Sequence, residues 1–224
     1  MGNSMNFETL INSPKEVIKE YLEEPKKLKE MKVNLSQVGE LIKKAGESIT
    51  YLEELEKFDD LLEYSIGEEE ISNYDEKTIN NFLVDMIRDT SKAEEYLNNE
   101  EMIKNGYGLY IILAADKAEE YLDKPEKYKD IKLSVDKIVE LIKATGKIEE
   151  YLTPEKLAEL GFRDWHNYNY EITELIKATK NPERYLFEGQ NINKLYIQFD
   201  MANIIKGTGK VEEYLTPEKL AEFG

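Results

Sequence analysis

The sequence predicts an all-α fold, a right-handed α-solenoid or superhelix of about six to seven degenerate helical repeats. Three observations carry that expectation. Residues 143–161, KATGKIEEYLTPEKLAELG, return as residues 206–224, KGTGKVEEYLTPEKLAEFG, with sixteen of nineteen positions identical. Tyr-Leu recurs at Tyr21, Tyr51, Tyr96, Tyr121, Tyr151, Tyr185 and Tyr214, at intervals of 30, 45, 25, 30, 34 and 29 residues. No segment shows the sustained period-two alternation of a half-buried strand.

One template explains each copy. In the clearest one, Val135, Ile138, Leu141 and Ile142 fall on one face at near-3.6 spacing, and Gly146 can take the left-handed conformation that ends a helix. KIEEYL then resumes a short helix. Thr153 stands as N-cap with Pro154 at the first helical position, Leu157 and Leu160 face inward, and Gly161 stops the turn. Five positions before the last six tyrosines stand Gly46, Ser91, Asp116, Gly146, Lys180 and Gly209. Apolar pairs such as Leu41-Ile42, Met86-Ile87 and Leu175-Ile176 precede them. The 26 residues from Tyr21 align without a gap on those from Tyr121, with eleven identities. One unit cannot cover its own apolar stripe, so neighbours must stack.

The expected organisation is a single helical-repeat domain over residues 1–224. Residues 1–22 form a partial repeat or cap. Repeats follow at 23–52, 53–97 with an insertion, 98–122, 123–152, 153–186 and 187–224. The stretch between Leu52 and Ile79 exceeds the template. The last copy is written like an interior one, which predicts either further repeats beyond it or a homodimer through the C-terminal repeat.

ELIKATGKIEEYL, ELIKATKNPERYL and NIIKGTGKVEEYL carry a resemblance to uncharacterised α-helical tandem-repeat proteins of low-GC bacteria, with LIKATGD-x-EYI-type repeats of about 30 residues. It is clear from about Leu133 onward and degenerate before. The resemblance implies a repeat architecture and no activity, so it transfers no catalytic residue.

Composition narrows function by exclusion. A net charge of −17 opposes direct binding to nucleic acid or to an anionic membrane. The longest apolar stretch, residues 107–115, is too short to span a bilayer, and no basic leader with an apolar run precedes it. A cytoplasmic location is expected. Without cysteine there is no thiol chemistry, and with His166 as the sole histidine there is no histidine triad or multi-histidine metal site. No P-loop, GxGxxG or GxSxG occurs. The acidic runs lack the ligand spacing and turn glycine of an EF-hand. A non-enzymatic chain with no cofactor, no metal and no catalytic residue is expected.

Two segments remain as partner-binding candidates. In FRDWHNYNY, Arg163, Trp165, His166, Tyr168 and Tyr170 form either a recognition hot spot or a plug between helices. Residues 47–102 hold eighteen Asp or Glu against four Lys or Arg, a net of −14, and their densest run is Glu68, Glu69 and Glu70. That region is a solvated face or a docking surface for a basic partner. The function expected is an interaction scaffold or adaptor that binds another protein. The alternative is an acidic nucleic-acid mimic, an inhibitor or effector that blocks a basic nucleic-acid-binding protein. The recurrent tyrosines read as packing rather than as a base-stacking ladder, because they recur beside a core leucine.

Overall fold

The computed structural model describes residues 5–128, 130–162, 168–182, 184–187, 201–214 and 216–218. All regular structure among these residues is helical. The chain divides into two compact units, Met1–Asp116 and Lys117–Gly224.

In the N-terminal unit the helices are α1 (Phe7–Ile11), α2 (Lys15–Glu23), α3 (Pro25–Glu30), α4 (Leu35–Ala45), α5 (Ser48–Glu53), α6 (Leu55–Ser65), α7 (Glu68–Ile71), α8 (Glu76–Asp89), α9 (Ala93–Tyr96), α10 (Glu100–Lys104) and α11 (Gly108–Ala114). Side chains define several starts: Asn6, Asn34, Asp75 and Asn99 each accept a first-turn N–H, and Asn34 with Gln37 closes a capping box. The longer helices pack in chain order, α2 on α4, α4 on α8 and α8 on α11. Between them Ile18, Leu22, Val38, Leu41, Ile42, Met86, Ile87 and Ile111 are buried. The excess sequence after Leu52 folds as α6 and α7, and α6 packs on α3 and α5 through Phe58 and Leu61.

The C-terminal unit holds α12 (Ala118–Asp123), a 3-10 turn at Pro125–Tyr128, α13 (Val135–Thr145), α14 (Ile148–Tyr151), α15 (Pro154–Glu159), α16 (Asn169–Lys177), α17 (Arg184–Phe187), α18 (Met201–Thr208) and α19 (Val211–Tyr214). Here α12 packs on α13, α13 on α16 and α16 on α18. Thr153 caps α15 by accepting from Lys156 N–H at 3.3 Å, and Leu157 and Leu160 are buried as their spacing requires.

The turn before each short helix follows one rule. Gly46, Ser91, Asp116, Gly146 and Gly209 all have left-handed φ, between 54° and 75°, while Lys180 does not. After α4 the left-handed turn closes directly, with Gly46 N–H on Lys43 O and Glu47 N–H on Ile42 O, both at 3.0 Å. After α13 the second of these bonds passes through a hydroxyl. Thr145 Oγ1 donates to Ile142 O at 2.7 Å and accepts from Lys147 N–H at 3.0 Å. Thr90 does the same between Ile87 O and Lys92 N–H, and Thr208 between Ile205 O and Lys210 N–H. Thr179 supplies the donating half to Ile176 O. The hydroxyl thus satisfies an end-of-helix carbonyl and the N–H of the residue just before the next helix together.

The tyrosines that follow are core residues. Tyr51, Tyr96, Tyr121, Tyr151 and Tyr214 are buried. Tyr51 Oη donates to Leu22 O at 3.4 Å, 29 positions back, and Tyr121 Oη donates to Ile131 O at 3.0 Å.

Candidate functional site

The acidic segment is built on helices whose inner side is fixed by packing, so its charge emerges in rows. α6 buries Phe58, Leu61 and Ser65. Glu56, Asp59, Asp60 and Glu63 then share the solvent face at i, i+3, i+4 and i+7. In α7, Glu68, Glu69 and Glu70 are all exposed. Among the described residues none of these seven carboxylates takes part in an ion pair. Like charges at i,i+4 oppose a helix by a few tenths of a kcal/mol per pair, so the row is held by burial beneath it. Cations lie beside the end of α6, with Lys26 Nζ 6.0 Å from the centroid of the exposed Tyr64 ring.

The aromatic candidates separate. Phe162 is fully buried after α15, and the half-buried Tyr168 ring meets it edge-on at 5.5 Å between centroids. Tyr170, in α16, is 71% exposed and holds no such contact. Arg163, Trp165 and His166 lie outside the described residues. Glu68, Glu69 and Glu70 belong to the other unit. Among the described residues no group of three His, Cys, Asp or Glu side chains is placed to hold a metal ion.

One feature of the N-terminal unit escapes sequence reasoning. A cavity of about 370 Å³ lies between α4 and α8, lined by Gly39, Glu40 and Lys43 on one side and Asn81, Phe82 and Asp85 on the other. Gly39 creates it. A Cβ there would stand 2.7 Å from Phe82 Cε2, so only glycine lets the ring lie against the α4 backbone. Phe82 is held from behind by Phe58, whose ring is parallel within 2° at 5.8 Å. The corresponding places in later repeats are filled by buried Val139 and Thr173.

Ionic contacts distinguish this cavity from its counterparts. The E-L-I-K segment recurs, and Glu140 meets Lys143 at 3.1 Å in α13 as Glu174 meets Lys177 at 2.6 Å in α16. In α4 the same segment places Glu40 and Lys43 on the cavity wall without an ion pair. At the equivalent place in α8 stands Asp85, whose i+3 cation Arg88 is turned away to Asp116 at 3.0 Å and to Leu113 O at 3.1 Å. Among the described residues, the two carboxylates on this cavity therefore lack the ion pair that Glu140 and Glu174 keep.

No helix among the described residues is long and apolar enough to cross a membrane. No family model, curated protein or solved structure matches this chain.

Proposed function

We propose that this chain is a non-enzymatic α-solenoid of helical repeats that docks a basic protein partner on the acidic face of α6 and α7. The repeat reading is supported by chain-order packing of the long helices within each unit and by the recurrent left-handed turn with its threonine relay. The sequence template runs across the division at Asp116 without a break. Its likeness to the LIKATGD-x-EYI-type repeats points the same way.

The docking reading rests on one observation: Glu56, Asp59, Asp60, Glu63 and Glu68 to Glu70 are exposed and unpaired. An uncompensated row raises the local potential, speeds encounter with a cationic surface and rejects an anionic one. Because the row runs along one helix as phosphates run along a strand, the favoured partner class includes nucleic-acid-binding proteins. For these the chain acts as a mimic and inhibitor.

The test is capture from a bacterial lysate on the immobilised chain, at low and high salt. It is repeated with Glu68, Glu69 and Glu70 replaced by Lys. A basic protein retained only at low salt by the natural chain, and lost with the triple substitution, is the expected result. Its release by duplex DNA assigns the mimic role. Equal capture by both chains would remove α6 and α7 from the function.

A further inference from the structure

We propose that the cavity between α4 and α8 is a slot for an arginine side chain presented by a partner protein. This deepens the reading of a basic partner and rests on it, but it concerns a separate site with its own chemistry. Three features of the cavity select the guest.

The first is charge. Glu40 and Asp85 occupy equivalent positions of consecutive repeats and line the same cavity, and neither has an ion-pair partner among the described residues. Lys43 is the one cation on the wall, and it can neutralise only one of the two. A net negative charge is left in a segment that is already strongly acidic. The second is the ring. Phe82 is half-buried, stacked parallel on Phe58 and close against position 39, and it lines the cavity. A guanidinium is planar and weakly hydrated, so it stacks on such a ring while its N–H groups reach carboxylates to the side. An ammonium does this less well, because it is a strongly hydrated point charge. The third is space. The cavity's volume of about 370 Å³ falls in the range of sites that take a small group. Asn81 adds an amide at the rim.

The experiment uses the full chain, isotope-labelled, titrated with a short capped peptide of alternating glycine and arginine and followed by amide resonances. The expected result is a saturable shift at Gly39, Phe82 and Asp85. The same peptide with citrulline, which keeps the shape and loses the charge, should give no shift there. The double variant Glu40→Gln, Asp85→Asn removes no ion pair and keeps side-chain size, so its helical content should be unchanged while the peptide binds roughly tenfold more weakly. Replacing Glu68, Glu69 and Glu70 with Lys should leave the shifted residues the same. Shifts confined to α6 and α7, or undiminished binding by the Gln/Asn variant, would overturn the slot. Either result would leave capture of a basic protein on α6 and α7 standing. Conversely, failed capture with a filled slot would sink only the reading of the acidic face.

Discussion

Lys147 Nζ lies 2.7 Å from Glu119 Oε2, and the two hold the positions that Glu47 and Lys19 hold in the N-terminal unit, with the charges exchanged. In both pairs one partner stands two residues before the recurrent tyrosine and the other four residues before the next, 28 positions on. The same spacing gives the same contact in both units, with its polarity reversed. Reversing one side should therefore cost stability that reversing both restores. Lys147→Glu should lower the midpoint of thermal unfolding slightly, and Glu119→Lys added to it should recover most of the loss. The single variant's defect should shrink in high salt. A double variant no better than either single would mean that these groups do not meet.

The N-terminal pair adds a pH dependence. Hydrogen bonding to Lys19 holds the Glu47 carboxyl below its ordinary 4.5, against a smaller opposing effect of burial. A lowered carboxylate pKa stabilises the fold above 4.5, and that contribution is lost as pH falls through the lowered value. Lys19→Met should flatten stability across that acid window. An unchanged acid limb would show that Glu47 owes nothing to the lysine.

The threonine relay predicts an inequality between two substitutions. Thr145→Val puts a methyl where the hydroxyl stood, leaving Ile142 O and Lys147 N–H without their shared partner and blocking their direct approach. It should cost about 1 to 2 kcal/mol. Thr145→Ala removes the obstacle as well. After α4, where Ala45 holds the same place, Glu47 N–H reaches Ile42 O directly at 3.0 Å. The alanine variant should therefore relax toward that turn and lose under about 1 kcal/mol. Urea unfolding of both variants decides it, and an alanine variant weaker than the valine one would refute the relay.

Much of this was legible in the sequence because it is local. Gly146, Thr153, Pro154 and Gly161 each act on backbone within a few residues, so their types announce their conformations. The relay was legible too, since Thr90, Thr145, Thr179 and Thr208 precede the turn in four copies; its signal is a register position, easily passed over beside a glycine. The exchanged ion pairs emerge from the sequence once the tyrosines are aligned. The cavity was not legible. Gly39 reads as an unfavourable helix residue until Phe82, 43 positions away, is known to lie against it, and that depends on how α4 and α8 cross. Nor does E-L-I-K reveal that its ion pair forms in α13 and α16 but not in α4, since all three copies carry the same four residues.

Ser91 and Asp116 occupy left-handed turns with φ of 57° and 54°, where their counterparts are glycine. A side chain in that region costs about 1 to 2 kcal/mol, partly offset by the greater freedom glycine loses on folding. Ser91→Gly should therefore stabilise the chain by about 1 kcal/mol. Asp116→Gly should gain less, because it also removes the carboxylate that holds Arg88 at 3.0 Å. Gly146→Ala should lose stability by a similar amount to the gain at position 91. If Ser91→Gly proves destabilising, its side chain contributes something beyond the turn.

The buried tyrosines set an alkaline limit. Burial pushes the Tyr51, Tyr107 and Tyr151 hydroxyls up to about 12, with nearby carboxylates adding to the effect, and raises Tyr96, Tyr121 and Tyr185 in the same direction. A tyrosine whose folded pKa is raised is held neutral by the fold, so it contributes full stability below its unfolded value near 10. That contribution disappears as pH rises toward 12, because only the unfolded chain ionises readily. At Tyr51 the effect is on the order of 2 kcal/mol. Since the residue recurs in successive repeats, the losses fall in the same window, and helix content should collapse cooperatively between pH 10 and 12 as tyrosinate absorbance appears. Tyr51→Phe keeps the ring and removes the proton. Its loss at neutral pH should be small, since the hydroxyl reaches Leu22 O only at 3.4 Å, and its alkaline midpoint should move upward. Tyrosinate absorbance that rises smoothly near pH 10, well before helix is lost, would mean that these hydroxyls meet water in the folded chain.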